Sequence, residues 1–490
     1  MSNQKITTRK DDYSQWYLDV IDAADLADNS PVRGCMVIKP YGFSLWDNIK
    51  NVLDNKIKAT GVENAYFPLF IPKSFFEKEA EHVQGFAKEC AVVTHHRLEL
   101  DKKTGKLIPA GPLDEPLIVR PTSETIIYDM YSKWIQSYRD LPILINQWAN
   151  VVRWEMRTRS FLRTMEFLWQ EGHTAHATKI EAENRAQEML QIYIDFVQDY
   201  LAIPVLSGKK SESEKFAGAD TTYCIEALMQ DGKALQAGTS HMLGQNFSKA
   251  FNISFLDDQG ESQFAWQTSW GVSTRIIGAL IMVHSDDQGL VLPPKIAPIQ
   301  VVIIPIFKDE KEKQSVLKVA QTLAENLKKK NNLAVKIDER DLRPGVKFFE
   351  WEKRGVPIRI EIGPKDVMSK SVVVARRDTG EKIIIKTSAV VKTVNELLEK
   401  IQSHLFDKAK KFMADNSHQV DTWEEFEKIM SNRGGFVYAP WCGRAACEEE
   451  IKEKTKATIR VIPGDQPKEK GRCVHCSQPS ENRVVFAKAY

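Results

Sequence analysis

The sequence predicts three domains: an N-terminal α+β domain with antiparallel strands, an α/β domain with a mixed sheet, and a small C-terminal domain with clustered cysteines. Three observations lead to this organisation. The chain has 490 residues, 42% of them hydrophobic, which suits about three domains of roughly 150 residues. Pro293, Pro294 and Pro298 interrupt the pattern of helices and strands, so we expect a domain boundary near residue 295. Cysteines cluster after residue 440.

Composition and charge exclude several classes of protein. The chain has 68 basic and 66 acidic residues and a net charge of +2, so any phosphate or RNA must be bound by local patches. The N-terminal stretch MSNQKITTRKDDYSQW lacks the apolar segment of a signal peptide. No apolar run approaches the roughly 20 residues that a membrane span needs. An odd number of cysteines, seven, suits a reducing compartment and a metal. We expect a cytoplasmic protein with no membrane partner.

The stretch VVRWEMRTRSFLRTMEFLWQEGH, residues 151–173, predicts a hairpin of two antiparallel strands joined by RTRS. Alternation with a period of two places seven side chains on a common surface: Arg153, Glu155, Arg163, Phe167, Trp169, Glu171 and His173. Guanidinium groups bind phosphate and carboxylate oxygens in pairs. Aromatic rings stack on bases and, together with a carboxylate, hold a small ammonium. The alternative is a solvated hairpin with salt bridges, which explains poorly why two aromatic residues share the polar surface.

After the proline-rich boundary, strands and helices alternate. The predicted strands are QVVIIPIF (300–307), LAVKIDER (333–340), IRIEIG (358–363), SVVVARR (371–377) and KIIIKT (382–387). The predicted helices run to about residue 331, over FFEWEKRG (348–355) where Gly355 ends the helix, and over about 390–413. This order is typical of a compact α/β domain with a mixed sheet.

The segment DERDLRPGVKFFEWEKRGVPIRIEIGPKD, residues 338–366, interleaves basic, acidic and aromatic residues. This mixture suits the stacking of unpaired bases and the recognition of their edges in single-stranded RNA. The alternative is the solvated face of an ordinary α/β domain.

The C-terminal cysteines form two closely spaced pairs, Cys442-x4-Cys447 and Cys473-x2-Cys476. Four thiolates in this spacing predict a closed, tetrahedral and structural zinc site. Four free buried cysteines are the alternative, and His475 could replace one ligand.

Several motifs resemble one family. RWE followed by FLRTMEF resembles motif 2 of class II aminoacyl-tRNA synthetases, and FLRTMEFLWQEGH resembles prolyl-tRNA synthetases of the branch shared by archaea, eukaryotes and some bacteria. Further similar stretches occur along nearly the whole chain: SPVRGCMVIKPYGFSLWDNIK, ENAYFPLFIP, RPTSET, KFAGAD, GTSHMLGQNFSKAF and SWGVSTRIIGALIMVHSDDQGLVLPP. The resemblance implies a class II α+β catalytic domain on an antiparallel sheet (1–295), an anticodon-binding domain (296–405) and a C-terminal zinc-binding domain (406–490).

The resemblance implies ATP-dependent ligation of L-proline to tRNA(Pro) through a prolyl-adenylate, with ATP and Mg²⁺ as substrate. The prolyl carboxylate attacks the α-phosphate, so positioning and charge stabilisation matter more than a side-chain nucleophile. Arg153 and Arg275 are the implied catalytic residues. The implied ATP-binding residues are Arg153, Glu155, Arg163, Thr164, Phe167, Gln236, Thr239 and Arg275.

Individual ATP contacts also follow from the resemblance. Arg153 is expected to bridge the prolyl carboxylate and the α-phosphate, Arg163 to contact the γ-phosphate, and Phe167 to stack on the adenine beside Glu155. Motif 3, WGVSTRIIGAL, is a glycine-containing strand followed by an apolar helix over 276–283. It is expected to bring Arg275 to the other face of the adenine and to the γ-phosphate.

The implied proline pocket combines an ammonium site with a rim for the small ring. Thr122 and Glu124 are expected to bind the ammonium. The full set of expected proline-binding residues is Phe86, Thr122, Glu124, Arg153, Trp169, Glu171, His173, His241 and Ser273. An apolar pocket discriminates by only about 1–3 kcal/mol per methylene, so alanine should also be accepted. About 100 residues separate motifs 2 and 3, too few for the editing insertion of bacterial-type relatives, so we expect no cis-editing domain.

Three further expectations concern partners. Glu352, Arg359 and Lys365 match positions expected to recognise the guanines of a proline anticodon. KPYGFSLWDNIK through AYFPLF resembles motif 1, a long helix followed by a strand that holds Pro68, which implies a homodimer. The sequence alone shows only an amphipathic helix there. The tail ending in Tyr490 is expected to pack toward the catalytic domain.

Two other functions remain open at this point. A class II synthetase for another small amino acid such as threonine would use an active-site zinc, and the N-terminal domain has no suitable set of cysteines and histidines. A non-catalytic RNA-binding paralogue predicts the loss of Arg153, Arg163 or Arg275, and all three are present.

Overall fold

The computed structural model describes residues 5–77, 89–464 and 469–490. The strands of the N-terminal half are β1 (Ala27–Asn29), β2 (Met36–Ile38), β3 (Glu63–Asn64), β4 (Phe70–Pro72), β5 (Ala91–Leu100), β6 (Leu107–Val119), β7 (Ile143–Val152), β8 (Glu166–His176), β9 (Val205–Lys209), β10 (Thr221–Leu228), β11 (Ala234–Gly244), β12 (Ser254–Leu256), β13 (Ser262–Phe264) and β14 (Trp266–Ser273). Its helices are Tyr13–Ala23, Pro40–Lys58, Lys73–Glu77, Glu124–Trp134, Lys179–Asp199, Asn246–Ala250 and Arg275–His284, with a 3-10 turn at Tyr138–Asp140.

A seven-stranded sheet in the order β3-β7-β8-β14-β11-β10-β9 forms the centre of this half. Its pairs are antiparallel except for β3 with β7, which confirms the predicted α+β fold. The helix Lys179–Asp199 covers one face of the sheet. It begins in a capping box of Thr178 and Glu181, and its Tyr193 donates a hydrogen bond to Gln170 Oε1 of β8 at 2.6 Å. The opposite face is therefore left for a site.

Two local predictions in this half are wrong. The hairpin strands stop farther from their connection than expected, because β7 ends at Val152 and β8 begins at Glu166. Residues 153–165 instead form an irregular connection, in which the Arg153 N–H donates to the Met165 carbonyl at 2.8 Å. Pro68 does not lie in a strand but between β3 and β4.

The middle of the chain forms the mixed sheet that the sequence predicts. Its strands are β15 (Val301–Pro305), β16 (Val335–Ile337), β17 (Ile358–Ile362), β18 (Ser371–Arg376) and β19 (Lys382–Lys386), in the order β16-β15-β17-β18-β19. Its helices are Glu310–Asn331, Pro344–Lys353, Pro364–Ser369 and Val390–Asp415, with a 3-10 turn at Thr387–Ala389. Gly355 follows the second helix at φ +71°, and a Cβ there would approach the Leu290 carbonyl oxygen to 2.8 Å. Glycine is required at that point.

The C-terminal part is a small α+β unit. Its strands are β20 (Ser417–Gln419), β21 (Phe436–Trp441), β22 (Thr458–Val461), β23 (Gly471–Arg472), β24 (Pro479–Ser480) and β25 (Asn482–Ala487), and its helices are Trp423–Asn432 and Ala445–Thr455. The main sheet has the order β20-β21-β25-β22. The helix Val390–Asp415 passes through the predicted boundary at 405/406, so the domain limits stay predictions. Among the described residues, no helix has both the length and the apolar character to cross a membrane.

Candidate active site

A cavity of about 280 Å³ opens on the face of the central sheet opposite the helix Lys179–Asp199. It brings together most of the residues expected to bind ATP or proline: Thr122, Glu124, Arg153, Phe167, Trp169, Glu171, His173, Gln236, Thr239, His241, Ser273 and Arg275. They come from β8, β11 and β14, from the residue after β7, and from the starts of the helices Glu124–Trp134 and Arg275–His284, with Thr122 just before the former. Residues far apart in the sequence therefore share one enclosed space.

An adjoining cavity of about 300 Å³ contains Glu155, Arg163 and Thr164. It shares four residues with the first: Arg153, Phe167, Ser273 and Arg275. The two cavities together form one elongated site. Phe86, the remaining predicted proline-binding residue, lies outside the described residues.

Three arginines supply positive charge where the two cavities meet. The Nε–H of Arg153 donates to the Pro121 carbonyl at 2.9 Å, and the Nε–H of Arg275 donates to the Leu162 carbonyl at 3.1 Å. Burial, and then the nearby Arg153 and Arg163, lower the pKa of Arg275 to about 10. A polyanion between the three guanidinium groups would relieve their mutual repulsion.

Aromatic rings flank the same arginines. The Arg153 guanidinium carbon lies 5.5 Å from the ring centres of both Phe167 and Trp169, which are perpendicular to each other with centroids 6.1 Å apart. β8 carries both residues on one side because their positions differ by two. The stretch as a whole thus offers fixed charge beside flat apolar surfaces.

Glu171 and His173 also line the first cavity, where they form a buried ion pair. Each side chain is 2% exposed, and His173 Nε2 lies 3.0 Å from Glu171 Oε2. Burial alone would raise the pKa of Glu171, but hydrogen bonds from His173, Ser123 and Gln147 outweigh it and hold that pKa below its usual value. Burial alone would lower the pKa of His173, yet the Glu171 carboxylate raises it.

The buried carboxylate of Glu124 lies beside this pair. The Thr122 hydroxyl donates to Glu124 Oε2, and both residues are at least 96% buried. The preceding Arg120 is almost fully buried and fixes the turn, since its guanidinium donates to the carbonyls of Phe67 at 2.7 Å and Asn150 at 2.8 Å. The part of the first cavity around Glu124 and Glu171 is therefore acidic, and both carboxylates favour the charged form of the nearby Arg153.

Sequence reasoning missed several residues that line the first cavity. Glu214 and Phe216 belong to the connection between β9 and β10, and Thr222 is the second residue of β10. The Phe216 ring centre lies 4.6 Å from that of His241, and Thr222 Oγ1 lies 2.9 Å from His241 Nδ1. KFAGAD contributes to the family resemblance, but the pattern alone gives none of its residues a role.

A β-bulge explains how Gln236 and Thr239 reach the same cavity. Their positions differ by three, so a regular strand would place their side chains on opposite faces. The pairing of β10 with β11 shifts register at Glu226, which lies opposite Gln236. The shift inserts Ala237 as an extra residue and turns both side chains to one side.

Gly172 makes room for the floor of the cavity. It lies opposite Trp270 in the neighbouring strand β14, and a Cβ at Gly172 would approach the Trp270 ring to 2.1 Å. A larger residue would displace the tryptophan, which is 2% exposed and lines the cavity. Glycine here permits a close contact across the sheet.

The predicted anticodon-binding residues are only partly brought together. Glu352 and Arg359 line a cavity of about 230 Å³ between the helix Pro344–Lys353 and the sheet. The Arg359 guanidinium carbon lies 4.4 Å from the ring centre of Phe348, and its Nε–H donates to Glu361 at 3.1 Å. Lys365 lies outside this cavity, in the first turn of the helix Pro364–Ser369, where it is exposed.

The four C-terminal cysteines converge. Cys447 Sγ lies 3.5 Å from Cys473 Sγ, and Cys476 Sγ lies 3.6 Å from Cys442 Sγ. All four sulfurs lie within 4.8 Å of one another. A tetrahedral zinc ion with Zn–S bonds of about 2.3 Å spaces its sulfurs about 3.8 Å apart. The donor set fits zinc, and His475, whose Nδ1 is 3.5 Å from Cys447 Sγ, lies beside it.

Comparison with known proteins agrees with the geometry. Three family models match the chain: "tRNA synthetase class II core domain (G, H, P, S and T)" over 110–284, "Anticodon binding domain" over 300–397, and "Prolyl-tRNA synthetase, C-terminal" over 423–490. Proline–tRNA ligases of Flavobacterium johnsoniae and Amoebophilus asiaticus are 57% and 55% identical over 100% of this chain and 100% of their own length. That of Salinibacter ruber is 55% identical, with 99% of each chain covered.

Proposed function

The chain belongs to the proline–tRNA ligase family of class II aminoacyl-tRNA synthetases, and from this premise we propose that it charges tRNA(Pro) in two steps through a prolyl-adenylate. One observation carries the proposal. Arg153 and Arg275 converge in one cavity that also holds the buried carboxylates of Glu124 and Glu171. Guanidinium groups and carboxylates in one small cavity match an amino acid, whose carboxylate would face the former and whose ammonium would face the latter.

In the first step, a carboxylate oxygen of proline attacks the α-phosphorus and the bond to pyrophosphate breaks. Negative charge develops on the oxygens around the phosphorus, where Arg153 bridges the two reacting groups. Arg275 lies across the same space. Because both side chains are partly buried and their Nε–H groups are already held by backbone carbonyls, the guanidinium groups stabilise this charge without reorganising. Mg²⁺, bound with ATP, neutralises the leaving pyrophosphate.

The adjoining cavity is the proposed ATP site. Phe167 stacks on the adenine, and Glu155 contacts its edge. Arg163 binds the γ-phosphate, since its side chain is half exposed at the cavity mouth and lies 3.7 Å from Glu155. Gln236, Thr239 and Thr164 complete the ATP contacts.

The acidic part of the first cavity is the proposed site of the prolyl ammonium, where Thr122 and Glu124 accept its hydrogen bonds. Trp169, Glu171, His173, His241 and Ser273 line the ring and its rim, and Phe86 keeps this role as a prediction. Phe216 extends this wall, because its ring packs against His241.

In the second step, the terminal ribose hydroxyl of the tRNA attacks the adenylate carbonyl and AMP leaves. We propose that the middle domain recognises the anticodon, with Glu352 accepting from a base edge and Arg359 donating to one. The cavity that Glu352 and Arg359 share supports this joint role. Lys365 is proposed for the same role from its exposed position at a helix N-terminus.

We also propose that the chain lacks a cis-editing domain. Residues 177–265, which connect β8 to β14, are accounted for by the helix Lys179–Asp199, the helix Asn246–Ala250 and β9–β13, most of them part of the central sheet or packed on it. With alanine, ATP and tRNA(Pro), purified protein should accumulate alanyl-tRNA. Rapid deacylation by the chain alone would contradict this.

Three further properties accompany this function. The four cysteines hold a structural zinc ion, because four thiolates leave no open position for catalysis. A homodimer is proposed from motif 1, although the helix Pro40–Lys58 already buries Leu45, Ile49 and Leu53 within its own core; sedimentation velocity would decide. The protein acts in the cytoplasm, with its tRNA.

Proline-dependent exchange of pyrophosphate into ATP tests the proposal most directly. Proline should support exchange and threonine should not. A chain that binds tRNA without exchanging pyrophosphate would be a non-catalytic paralogue, and threonine-dependent exchange would indicate a different synthetase.

A further inference from the structure

We propose that two buried side chains of the C-terminal part, Glu448 and Arg460, are positioning residues for the substrate cavity. They act by fixing the start of the segment 210–219, which connects β9 to β10. The inference rests on the proposed function, since it concerns the binding of proline in the same cavity.

The segment 210–219 carries part of the cavity wall. Glu214 and Phe216 line the cavity, and the Phe216 N–H donates to Thr222 Oγ1 at 3.0 Å. The Phe216 ring packs on His241, one of the residues proposed to surround the prolyl ring. The position of this segment therefore sets the shape of the amino-acid side of the cavity.

Glu448 holds the first turn of the segment. The Ser211 hydroxyl donates to Glu448 Oε1 at 2.7 Å, and the two residues are 1% and 3% exposed. The Ser211 carbonyl in turn accepts from the Glu214 N–H at 3.2 Å. A side chain on the helix Ala445–Thr455 thus reaches, through one hydroxyl, the turn that carries a cavity residue.

Arg460 holds Lys210, the residue before Ser211, through a buried ionic group. The fully buried carboxylate of Glu226 accepts from an Arg460 terminal nitrogen at 2.9 Å and from Lys210 Nζ at 2.7 Å. Lys210 Nζ also donates to the Arg460 carbonyl at 2.9 Å. Because a buried charge without its partner is costly, these three side chains constrain one another. Glu226 lies opposite Gln236, itself a cavity residue.

Backbone contacts reinforce the same junction. The Lys209 N–H donates to the Ile462 carbonyl at 2.9 Å, and the Ile462 N–H donates back at 2.8 Å. At Gly208 a Cβ would come 2.4 Å from the Ile462 carbonyl oxygen. The strand that leads into the segment is thus held tightly against the C-terminal part.

A cavity wall that is fixed before the ligand arrives loses less conformational entropy on binding. Loosening the segment should therefore weaken proline binding and leave the guanidinium groups around the phosphates in place. We expect a higher KM for proline, with little change in kcat or in the KM for ATP. A merely structural role would change all three or only the melting temperature.

The test uses Ser211→Ala and Glu448→Ala, singly and together, in proline-dependent pyrophosphate exchange. Each single variant should raise the KM for proline about three- to tenfold, the effect of one hydrogen bond after solvation is taken into account. The double variant should behave like either single one, because both remove the same contact. Glu448→Gln keeps an acceptor oxygen and should restore a KM close to that of the unchanged chain.

Thr455→Ala is the matched control. Thr455 lies on the same helix as Glu448, is 8% exposed and donates only within that helix, to the Ile451 carbonyl at 2.7 Å. It should lower the melting temperature without changing the KM for proline. An equal rise in KM for this variant would show general loosening and overturn the inference.

Two other results are decisive. If the unchanged chain exchanges pyrophosphate but Ser211→Ala and Glu448→Ala keep its KM for proline, the inference is wrong and the proposed function stands. If the unchanged chain shows no proline-dependent exchange, the proposed function fails and the inference falls with it. Should Glu448→Ala not fold, Ser211→Ala removes the same hydrogen bond from the side of the segment, and its KM for proline decides the question alone.

Discussion

Replacing Glu171 by glutamine tests the charge state of the buried pair in the proposed proline pocket. The carboxylate accepts three hydrogen bonds, from Ser123, from Gln147 Nε2 at 2.8 Å and from His173 Nε2 at 3.0 Å. A glutamine oxygen can keep the first two. Its amide group must then donate to His173, so His173 must be neutral and place its other hydrogen on Nδ1, 3.2 Å from the Tyr128 hydroxyl.

The magnitude follows from the number of contacts. Glu171→Gln loses one charge-assisted hydrogen bond, worth about 1.5–3 kcal/mol. Glu171→Ala leaves three buried donors without an acceptor, each costing about 1–3 kcal/mol, and should prevent stable folding of the catalytic domain. At about 2 °C per kcal/mol for a large domain, the glutamine variant should melt roughly 3–6 °C lower at pH 6.

The difference in melting temperature between the unchanged chain and Glu171→Gln should shrink as the pH rises. The pKa of His173 is raised in the folded chain, so its contribution to stability is fully present below its unfolded pKa of about 6.5 and is lost as pH rises through the folded value. The pKa of Glu171 is lowered, so its own contribution disappears only in acid. In the glutamine variant no carboxylate offsets the effect of burial, so the pKa of His173 falls below its usual value. The variant therefore has no stabilising contribution from a charged His173 to lose as the pH rises.

Calorimetric melting of both proteins between pH 6 and pH 9 measures this difference. A melting difference that is constant across the range would mean that His173 is neutral beside Glu171, and the reasoning would be refuted. The KM for proline, measured alongside, should rise at least tenfold in the variant, because the pocket loses a negative charge near the ammonium.

Three other outcomes are expected. Arg153→Lys cannot donate to Pro121 and bridge two anions at once, so exchange turnover should fall about 10²- to 10³-fold with an unchanged melting temperature. Purified protein should contain one zinc per chain by mass spectrometry; Cys447→Ser or strong chelation should remove it and unfold the C-terminal part first, because metal binding contributes to folding. His284 donates to Leu201 at 2.8 Å, and burial lowers its pKa to about 4; its contribution to stability is present above pH 6.5 and falls by about 2 kcal/mol at pH 5. Urea unfolding of His284→Gln should lack that part of the pH dependence.

The elements of the middle domain could be predicted closely because each strand there is a short apolar run between charged or glycine-containing stretches. The hairpin of the N-terminal domain was harder. Alternation correctly places Phe167, Trp169, Glu171 and His173 on one face, but it cannot show that β7 ends at Val152. Contacts beyond the strand decide that point: Val152 still pairs with Glu166, but the Trp154 N–H then donates to the Glu89 carbonyl at 2.7 Å and the Glu155 N–H turns back to the Arg153 carbonyl at 2.6 Å.

The site could be predicted where one strand supplies several residues and not where a rare backbone feature supplies them. Gln236 and Thr239 face the same cavity only because of the bulge at Ala237, and three-residue spacing in a strand otherwise argues against it. Glu214 and Phe216 lie in a connection without periodicity. Their positions depend on contacts with residues more than 200 positions away in the sequence, which local patterns do not encode.

A continuous chain of polar contacts, buried at Tyr193, Gln170 and Asn146 and exposed at Asn64, connects the floor of the site to the rest of the domain. Tyr193 donates to Gln170, Gln170 to Asn146, Asn146 to Asn64 and Asn64 to Asp54, each at 2.6–2.7 Å. The chain runs from the helix under the sheet, across β8 and β7, to the helix Pro40–Lys58. Apolar residues could fill the same space at lower cost, since buried polar groups stabilise a fold only when all are satisfied. Each link in this chain is satisfied and directional, so the chain fixes the register of β7 against β8, which carries Trp169. Catalysis by positioning requires this degree of order, and apolar packing alone would not specify it.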